Sequence, residues 1–236
     1  MNIGERLKAV GSFVISGCVL ADIGTDHAYL PVFLLQEKQI AAAIAGDIAQ
    51  GPCKAAEATV AMYGMKGKVQ VRLGSGLSVL KEGEAQCISI AGMGGSTMVE
   101  ILQADLPIAL AAQRLVLQPQ TGALGLRKWL LEHGWSIVAE DLVWENKRLY
   151  EIVAVERRAS DQPVHAYSVA ELEIGPLLVA NRHPLLKDQF AKQLSAYYKQ
   201  LGFMEKSASA VKSDKYLELK QKVLALEGLA HECKLE

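Results

Sequence analysis

From Cys18 to Leu117 the chain repeats one unit: a short run of Val, Ile, Leu and Ala, a turn containing glycine, then a stretch of helical character. Such a unit has few solutions. Short apolar runs bury themselves as neighbouring strands, and a connection of a dozen residues or more brings the chain back parallel to the strand before it. The runs are Cys18 to Ile23, Ala42 to Gly46, Val69 to Leu73, Cys87 to Ala91 and Leu115 to Leu117, all expected to be buried on both faces of a parallel sheet. Helices are expected after them at Tyr29 to Lys38, Gln50 to Tyr63, Leu77 to Lys81, Ser96 to Leu102 and Leu124 to His133, Pro31 being admissible in a first turn.

Two further strands, Ser136 to Trp144 and Arg148 to Val155, are separated only by Glu145, Asn146 and Lys147, which leaves no room for a crossover. The sheet is therefore expected to end in an antiparallel hairpin. That order is the α/β pattern of class I methyltransferases, a Rossmann-like doubly wound sheet, whereas nicotinamide-binding domains usually carry a sixth parallel strand. Beyond Asp161 the strand signals stop. Leu186, Phe190, Leu194, Tyr197, Leu201 and Met204 recur at helical spacing, as do Tyr216, Leu219, Val223, Leu226 and Ala230, with Glu205 to Ser213 between them. The pattern predicts an antiparallel α-helical hairpin of coiled-coil type. The expected domains are residues 1–160 and 161–236, with a linker at Ala159 to Pro163.

Half of the 236 residues are hydrophobic and 22% are charged, which suits one buried core with an appendage rather than two full enzymatic domains. Cys18, Cys53, Cys87 and Cys233 form no CxxC pair, so a zinc or redox motif is excluded, no metal is expected, and a reducing cytoplasm fits best. Met1 to Val10 sets Glu5, Arg6 and Lys8 among Ile3, Leu7 and Val10; this reads as an amphipathic helix, not a signal peptide. No run reaches the ~18 apolar residues of a membrane span. A formal net charge of −1 excludes nucleic-acid binding by bulk positive charge and leaves only a local patch for it. Nothing in the sequence selects an oligomeric state.

Ligands of an open α/β sheet bind beyond the carboxyl ends of the strands, where strand order reverses. The first turn there reads Ala-Asp-Ile-Gly-Thr-Asp-His-Ala-Tyr-Leu-Pro, residues 21–31. Gly24 permits a tight turn close to a ligand. Asp26 and Tyr29 stand where a pyrophosphate loop keeps glycines; Asp22 and Asp26 would repel a pyrophosphate but favour the ammonium and sulfonium of S-adenosylmethionine. Asp47, followed by Ile48, is spaced from Gly24 as a carboxylate that accepts hydrogen bonds from ribose hydroxyls. Gly74, Ser75 and Gly76 follow the third strand, with Ser75 where many methyltransferases keep an Asp near the adenine amino group. After the fourth strand, Ala91, Gly92, Met93 and Gly94 bring backbone toward the same ligand, Met93 either lining the base pocket or merely packing, and Ser96 is expected to cap the next helix.

Together, Asp-Ile-Gly-Thr-Asp-His-Ala-Tyr-Leu-Pro, Ala-Ile-Ala-Gly-Asp, Ile-Ala-Gly-Met-Gly-Gly and Leu-Gln-Pro-Gln resemble the bacterial tRNA (adenine-22-N1)-methyltransferase family, the TrmK type, over nearly the whole chain. The resemblance implies S-adenosylmethionine as donor and methylation of a ring nitrogen of adenine in the D-arm region of tRNA. It also implies substrate contacts at Gln118, Pro119 and Gln120. The family often has Glu where Asp47 stands and Asn where Gln120 stands.

Adenine N1 has a free lone pair at neutral pH, so its methylation needs positioning and a field rather than a base, and the product ring is cationic. Asp26 is the candidate carboxylate for that charge, with His27 and Tyr29 placed to hydrogen-bond or stack; the plainer reading has Asp26 capping the following helix and Tyr29 in the core. Neither an Asn/Asp-Pro-Pro-aromatic tetrad nor a cysteine occurs at Ala91 to Gly95, which is compatible with ring-nitrogen chemistry. N1 lies on the Watson–Crick edge, so the base must leave its pair and an RNA-engaging surface is required. Residues 187–222 carry eight lysines against four acids, with Tyr197, Tyr198, Phe203 and Tyr216 interleaved, and Lys192 and Lys199 are the candidate contacts; the alternative is a solvated helix face. A nicotinamide-dependent oxidoreductase and a non-catalytic RNA-binding protein on a methyltransferase scaffold stay open as other functions.

Overall fold

The computed structural model describes residues 1–159 and 165–235. Its contacts divide into two units, residues 1–163 and 164–236. The linker expected at Ala159 to Pro163 falls almost wholly outside the described residues.

In the first unit, helix α1 (Glu5–Ser12) precedes β1 (Val19–Ile23), α2 (Tyr29–Gln36), β2 (Ala42–Asp47), α3 (Gln50–Met62) and β3 (Val69–Leu73). Then come β4 (Cys87–Met93), α4 (Gly95–Ala104), α5 (Leu106–Ala111), β5 (Arg114–Pro119) and α6 (Ala123–Glu132), and last β6 (Trp135–Glu145) and β7 (Arg148–Arg157). The sheet order is β3-β2-β1-β4-β5-β7-β6. Strands β1 to β5 are parallel, and β7 enters antiparallel between β5 and β6. The hairpin turns at Asn146 and Lys147, both at positive φ (48° and 61°), the geometry whose twist matches that of the strands it joins.

Two expectations need correction. β3 is not buried on both faces: it is the outer strand, and Gln70 and Leu73 are exposed. Arg72 on that edge donates to both carboxylate oxygens of Glu84 (2.6 and 2.7 Å), which holds Glu84 down to about 2 and leaves the edge charged, a poor template for another strand. The helix expected at Leu77 to Lys81 is a single 3₁₀ turn, Gly76–Val79, since Leu80 is already extended. Helix α5 was not anticipated; its Pro107 occupies the first turn, where the missing N–H costs nothing.

A fully buried Arg127 on α6 ties the hairpin to the rest. Its Nε donates to Glu140 of β6 (2.7 Å) and its Nη2 to Glu151 of β7 (3.0 Å).

Among the described residues of the second unit, every regular element is a helix. Helices α7 (Val169–Ile174) and α8 (Pro176–Ala180) were not anticipated, although Ser168 and Glu171 form a capping box at the start of α7. Helices α9 (Leu186–Met204) and α11 (Asp214–Glu232) flank a short α10 (Ala208–Val211). Tyr216 donates to Glu205 (2.9 Å) and Tyr198 to Glu227, which makes α9 and α11 antiparallel around a seam of Leu201, Tyr216, Leu219 and Val223. Among the described residues no helix is long and apolar enough to cross a membrane.

Replacing Arg127 by Met keeps most of the buried volume but leaves Glu140 and Glu151 without their cation. Urea unfolding should show a loss of ~3–5 kcal/mol; a loss below ~1 kcal/mol would mean that this cluster does not hold the hairpin.

Candidate functional site

Strand order reverses between β1 and β4, and two adjoining cavities open there, of about 540 and 470 Å³. Gly24, Asp26 and Met93 border both. The first cavity is mainly apolar and runs past Asp47, Ile48, Gly74, Ser75 and Gly76 to Thr97, Glu100, Ile101 and Asp105. The second is more polar, with Arg6, Asp22, Thr25, His27, Tyr29, Ala91, Gly92 and Gln120 on its walls.

Asp22 is the best-determined group in the site. The parallel register of β1 and β4 sets it beside Ser89, whose Oγ donates to Oδ1 (2.7 Å), while Thr25 Oγ1 donates to Oδ2 (2.7 Å). Only 6% of the residue is exposed. Burial raises the Asp22 carboxyl above the ordinary carboxylate range, against the opposing pull of the two hydroxyls and of the Arg6 charge.

The loop after β1 is wound tightly over Gly24 at φ +72°, where a Cβ would meet Met93 Cε at 2.1 Å. Asp26 and Ala28 also lie at positive φ (55° and 54°), a conformation that costs non-glycine residues energy and persists only when neighbours enforce it. The enforcement is visible. Gly24 and Thr25 N–H groups donate to Gly46 O (2.9 and 3.1 Å), Ala28 N–H donates to Thr25 O (3.1 Å), and Asp26 N–H donates to Asp47 Oδ2 (3.3 Å). Asp47 Oδ1 accepts from Ala49 N–H (3.0 Å), so its carboxylate is fixed at the cavity wall with lone pairs to spare.

This geometry removes the plainer reading of Asp26 and Tyr29. Ala28, not Asp26, is the N-cap of α2, and no side chain caps it. The Asp26 side chain is 70% exposed, and Tyr29 is 43% exposed and stacked on His27 with ring centroids 5.0 Å apart. Other expectations are overturned. Ser96 does not cap α4, whose N-cap is Gly94. Gly94 itself is outside both cavity linings and packs near Thr121, and Gly95 lies so close to the Gly122 carbonyl that a Cβ would sit 2.4 Å from its oxygen. Backbone bonds from Gln120 N–H to Met93 O (2.8 Å) and from Gly95 N–H to Thr121 O (2.7 Å) join the loops after β4 and β5.

Gln118 and Pro119 are buried and face neither cavity; Gln118 accepts from Arg6 Nη1 (2.9 Å) and donates to Pro119 O (3.1 Å). Gln120 is exposed at the second cavity. Lys192 and Lys199 are exposed on α9, in the second unit. Sequence reasoning missed Arg6, Thr25, Ser89, Glu100 and Asp105. Ser89 had a signal, a lone hydroxyl inside the buried run Cys-Ile-Ser-Ile-Ala; Arg6 read only as the polar face of a helix.

A protein-family model described as a methyltransferase domain matches residues 3–153. The Bacillus subtilis tRNA (adenine(22)-N(1))-methyltransferase is 34% identical over 195 residues, 82% of this chain and 82% of that one. A Streptococcus pneumoniae protein solved in complex with S-adenosyl-L-methionine is 35% identical and superposes with a TM-score of 0.83, covering 97% of this chain and 99% of that one. The solved B. subtilis TrmK tRNA methyltransferase is 31% identical with a TM-score of 0.81, over 99% and 97% of the two chains.

Because burial raises Asp22, the folded protein holds that proton more firmly than the unfolded chain does. Stability therefore falls as pH rises from the unfolded value through the raised folded one. Asp22→Asn keeps the shape and removes the buried charge: its Tm should exceed that of the parent at neutral pH and converge with it in acid. An equal gap at all pH values would contradict the assignment.

Proposed function

We propose, on the premise that this chain belongs to the bacterial tRNA (adenine(22)-N(1))-methyltransferase family, that it methylates N1 of an adenine in tRNA from the paired cavities at the β1–β4 reversal. The donor is S-adenosyl-L-methionine. The observation that carries the reading is the acidic wall of Asp22, Asp26 and Asp47 around Gly24, where a nucleotide pyrophosphate would be repelled. A nicotinamide enzyme would share the ribose-binding acid at Asp47 but would set glycine backbone, not Asp22 and Asp26, beside the pyrophosphate.

The residues fit the donor's parts. Asp47, already fixed by two backbone N–H groups, takes the ribose hydroxyls, and Ile48, Gly74, Ser75 and Gly76 enclose the adenine in the apolar cavity. Asp22, Ala91 and Gly92 serve the amino-acid end, and Met93 and Gly24 border the junction where the reacting groups meet. When bound, the donor supplies an electrophilic methyl group on a sulfonium.

The chain's own contribution is position and field. Adenine N1 needs no deprotonation, but methylation leaves positive charge on the ring, and Asp26 at the junction of the cavities is the carboxylate that meets it. The stacked His27 and Tyr29 form a plane at the mouth on which an extruded base can lie, with the Gln120 amide beside it. Residues 1–160 thus form the catalytic domain, and 161–236 engage the RNA backbone through Lys192, Lys199 and the neighbouring lysines.

Mass spectrometry of nucleosides from tRNA incubated with enzyme and donor should reveal N1-methyladenosine; binding of tRNA without methyl transfer would instead favour a non-catalytic RNA-binding protein. Asp26→Asn should lower turnover by about 100-fold with little change in donor affinity. Undiminished turnover removes Asp26 from the mechanism. The double variant Lys192→Glu, Lys199→Glu should raise KM for tRNA by roughly tenfold or more, most at low salt, and leave donor affinity alone.

A further inference from the structure

The second cavity contains a feature that the reading above leaves unused. Arg6, on α1, presents a guanidinium to the same space that Asp22 borders. The two do not pair with each other. Both Asp22 oxygens accept from hydroxyls, Thr25 on one and Ser89 on the other, while Arg6 reaches Gln118 and Glu145. A cavity with an anion on one wall and a cation on another complements an α-amino acid, whose ammonium and carboxylate hang on one carbon.

Arg6 is held in place by three strands. Gln118 of β5 is fully buried, and because its amide nitrogen donates to Pro119 O, its oxygen is turned to Arg6 Nη1 at 2.9 Å. Glu145 of β6 accepts the Arg6 backbone N–H (3.1 Å) and lies 3.8 Å from Nε. Tyr150 of β7 lies 5.6 Å below the guanidinium carbon. The same Nη1 stands 3.8 Å from where a Cβ on Gly92 would sit, so the group faces the cavity across bare backbone. Among the described residues the guanidinium gives one hydrogen bond to the protein, to Gln118, out of five available N–H donors. A planar, preoriented guanidinium with free donors is the side chain best suited to a carboxylate.

We infer that Arg6 recognises the carboxylate of the donor's amino-acid end, opposite Asp22, with Gln118 as the residue that aims it. The inference rests on the methyl-donor reading of the site. It gives the buried Gln118 a positioning function and makes α1 part of the donor site.

Calorimetry on the full chain tests it with two ligands: S-adenosylhomocysteine and the same molecule lacking its carboxylate, the aminopropyl thioether of adenosine. The parent should prefer the first by about 10- to 100-fold. Arg6→Met, which retains the stem over Tyr150, should bind both equally, with affinity for the carboxylate-free ligand unchanged. Arg6→Lys should keep a reduced preference, and it serves as the readout if the Met variant does not fold. Equal weakening of both ligands would mean that Arg6 only braces α1 and overturns the inference. So would an intact preference in the variants, or unchanged S-adenosylhomocysteine binding with a raised KM for tRNA. Failure of the parent to bind either ligand would overturn the methyl-donor reading itself.

Discussion

The parallel pairing of β1 with β4 is the constraint on which the site depends. Chain leaving β1 heads toward β2 and chain leaving β4 toward β5, so a crevice opens above the pair that no connection covers. The register of that pair also sets Ser89 beside Asp22, and a carboxylate held by two hydroxyls can stay at the strand end despite its burial. Displacing the register by one residue would turn Ser89 to the opposite face and leave the acid with one partner. The turn geometry, the cavity floor and the charge in the crevice all follow from this one alignment.

Energy is distributed unevenly around that crevice. Asp26 and Ala28 sit in backbone conformations that local interactions disfavour, and Asp22 is an acid kept from water. Opposing these costs are the bonds to Gly46 and Asp47, and farther away the Arg127 cluster and the apolar strands. The buried ion cluster and the apolar strands lie in the sheet and hairpin, and the left-handed backbone in the loop that faces the crevice.

The strands were legible because an apolar run between two glycine turns has one stable use, and the acidic first turn was legible because its composition contradicts a pyrophosphate loop. Less visible were features decided by sheet order. β3 sets Gln70 and Arg72 between Val69, Val71 and Leu73, an alternation that fits a half-exposed strand, and its place at the edge leaves Gln70 and Leu73 exposed. Gln118 stands in a motif that resembles a substrate contact, yet its side chain turns beneath the cavity to Arg6, 112 positions earlier in the chain, and no local pattern encodes such a meeting. Asp26 was read as a possible helix cap because sequence proximity cannot distinguish a capping residue from one lifted away by a left-handed neighbour.

The stitching of the loops after β4 and β5 bears on how specificity can change. With Gln120 bonded to Met93, Thr121 to Gly95, and no room for a side chain at Gly95, the two rims of the crevice are tied together through their backbones. The side chain at position 120 can therefore vary in length without shifting the backbone at Met93 and Gly95. A longer amide there changes the width of the second cavity, while its backbone floor stays where the bonds between the loops hold it.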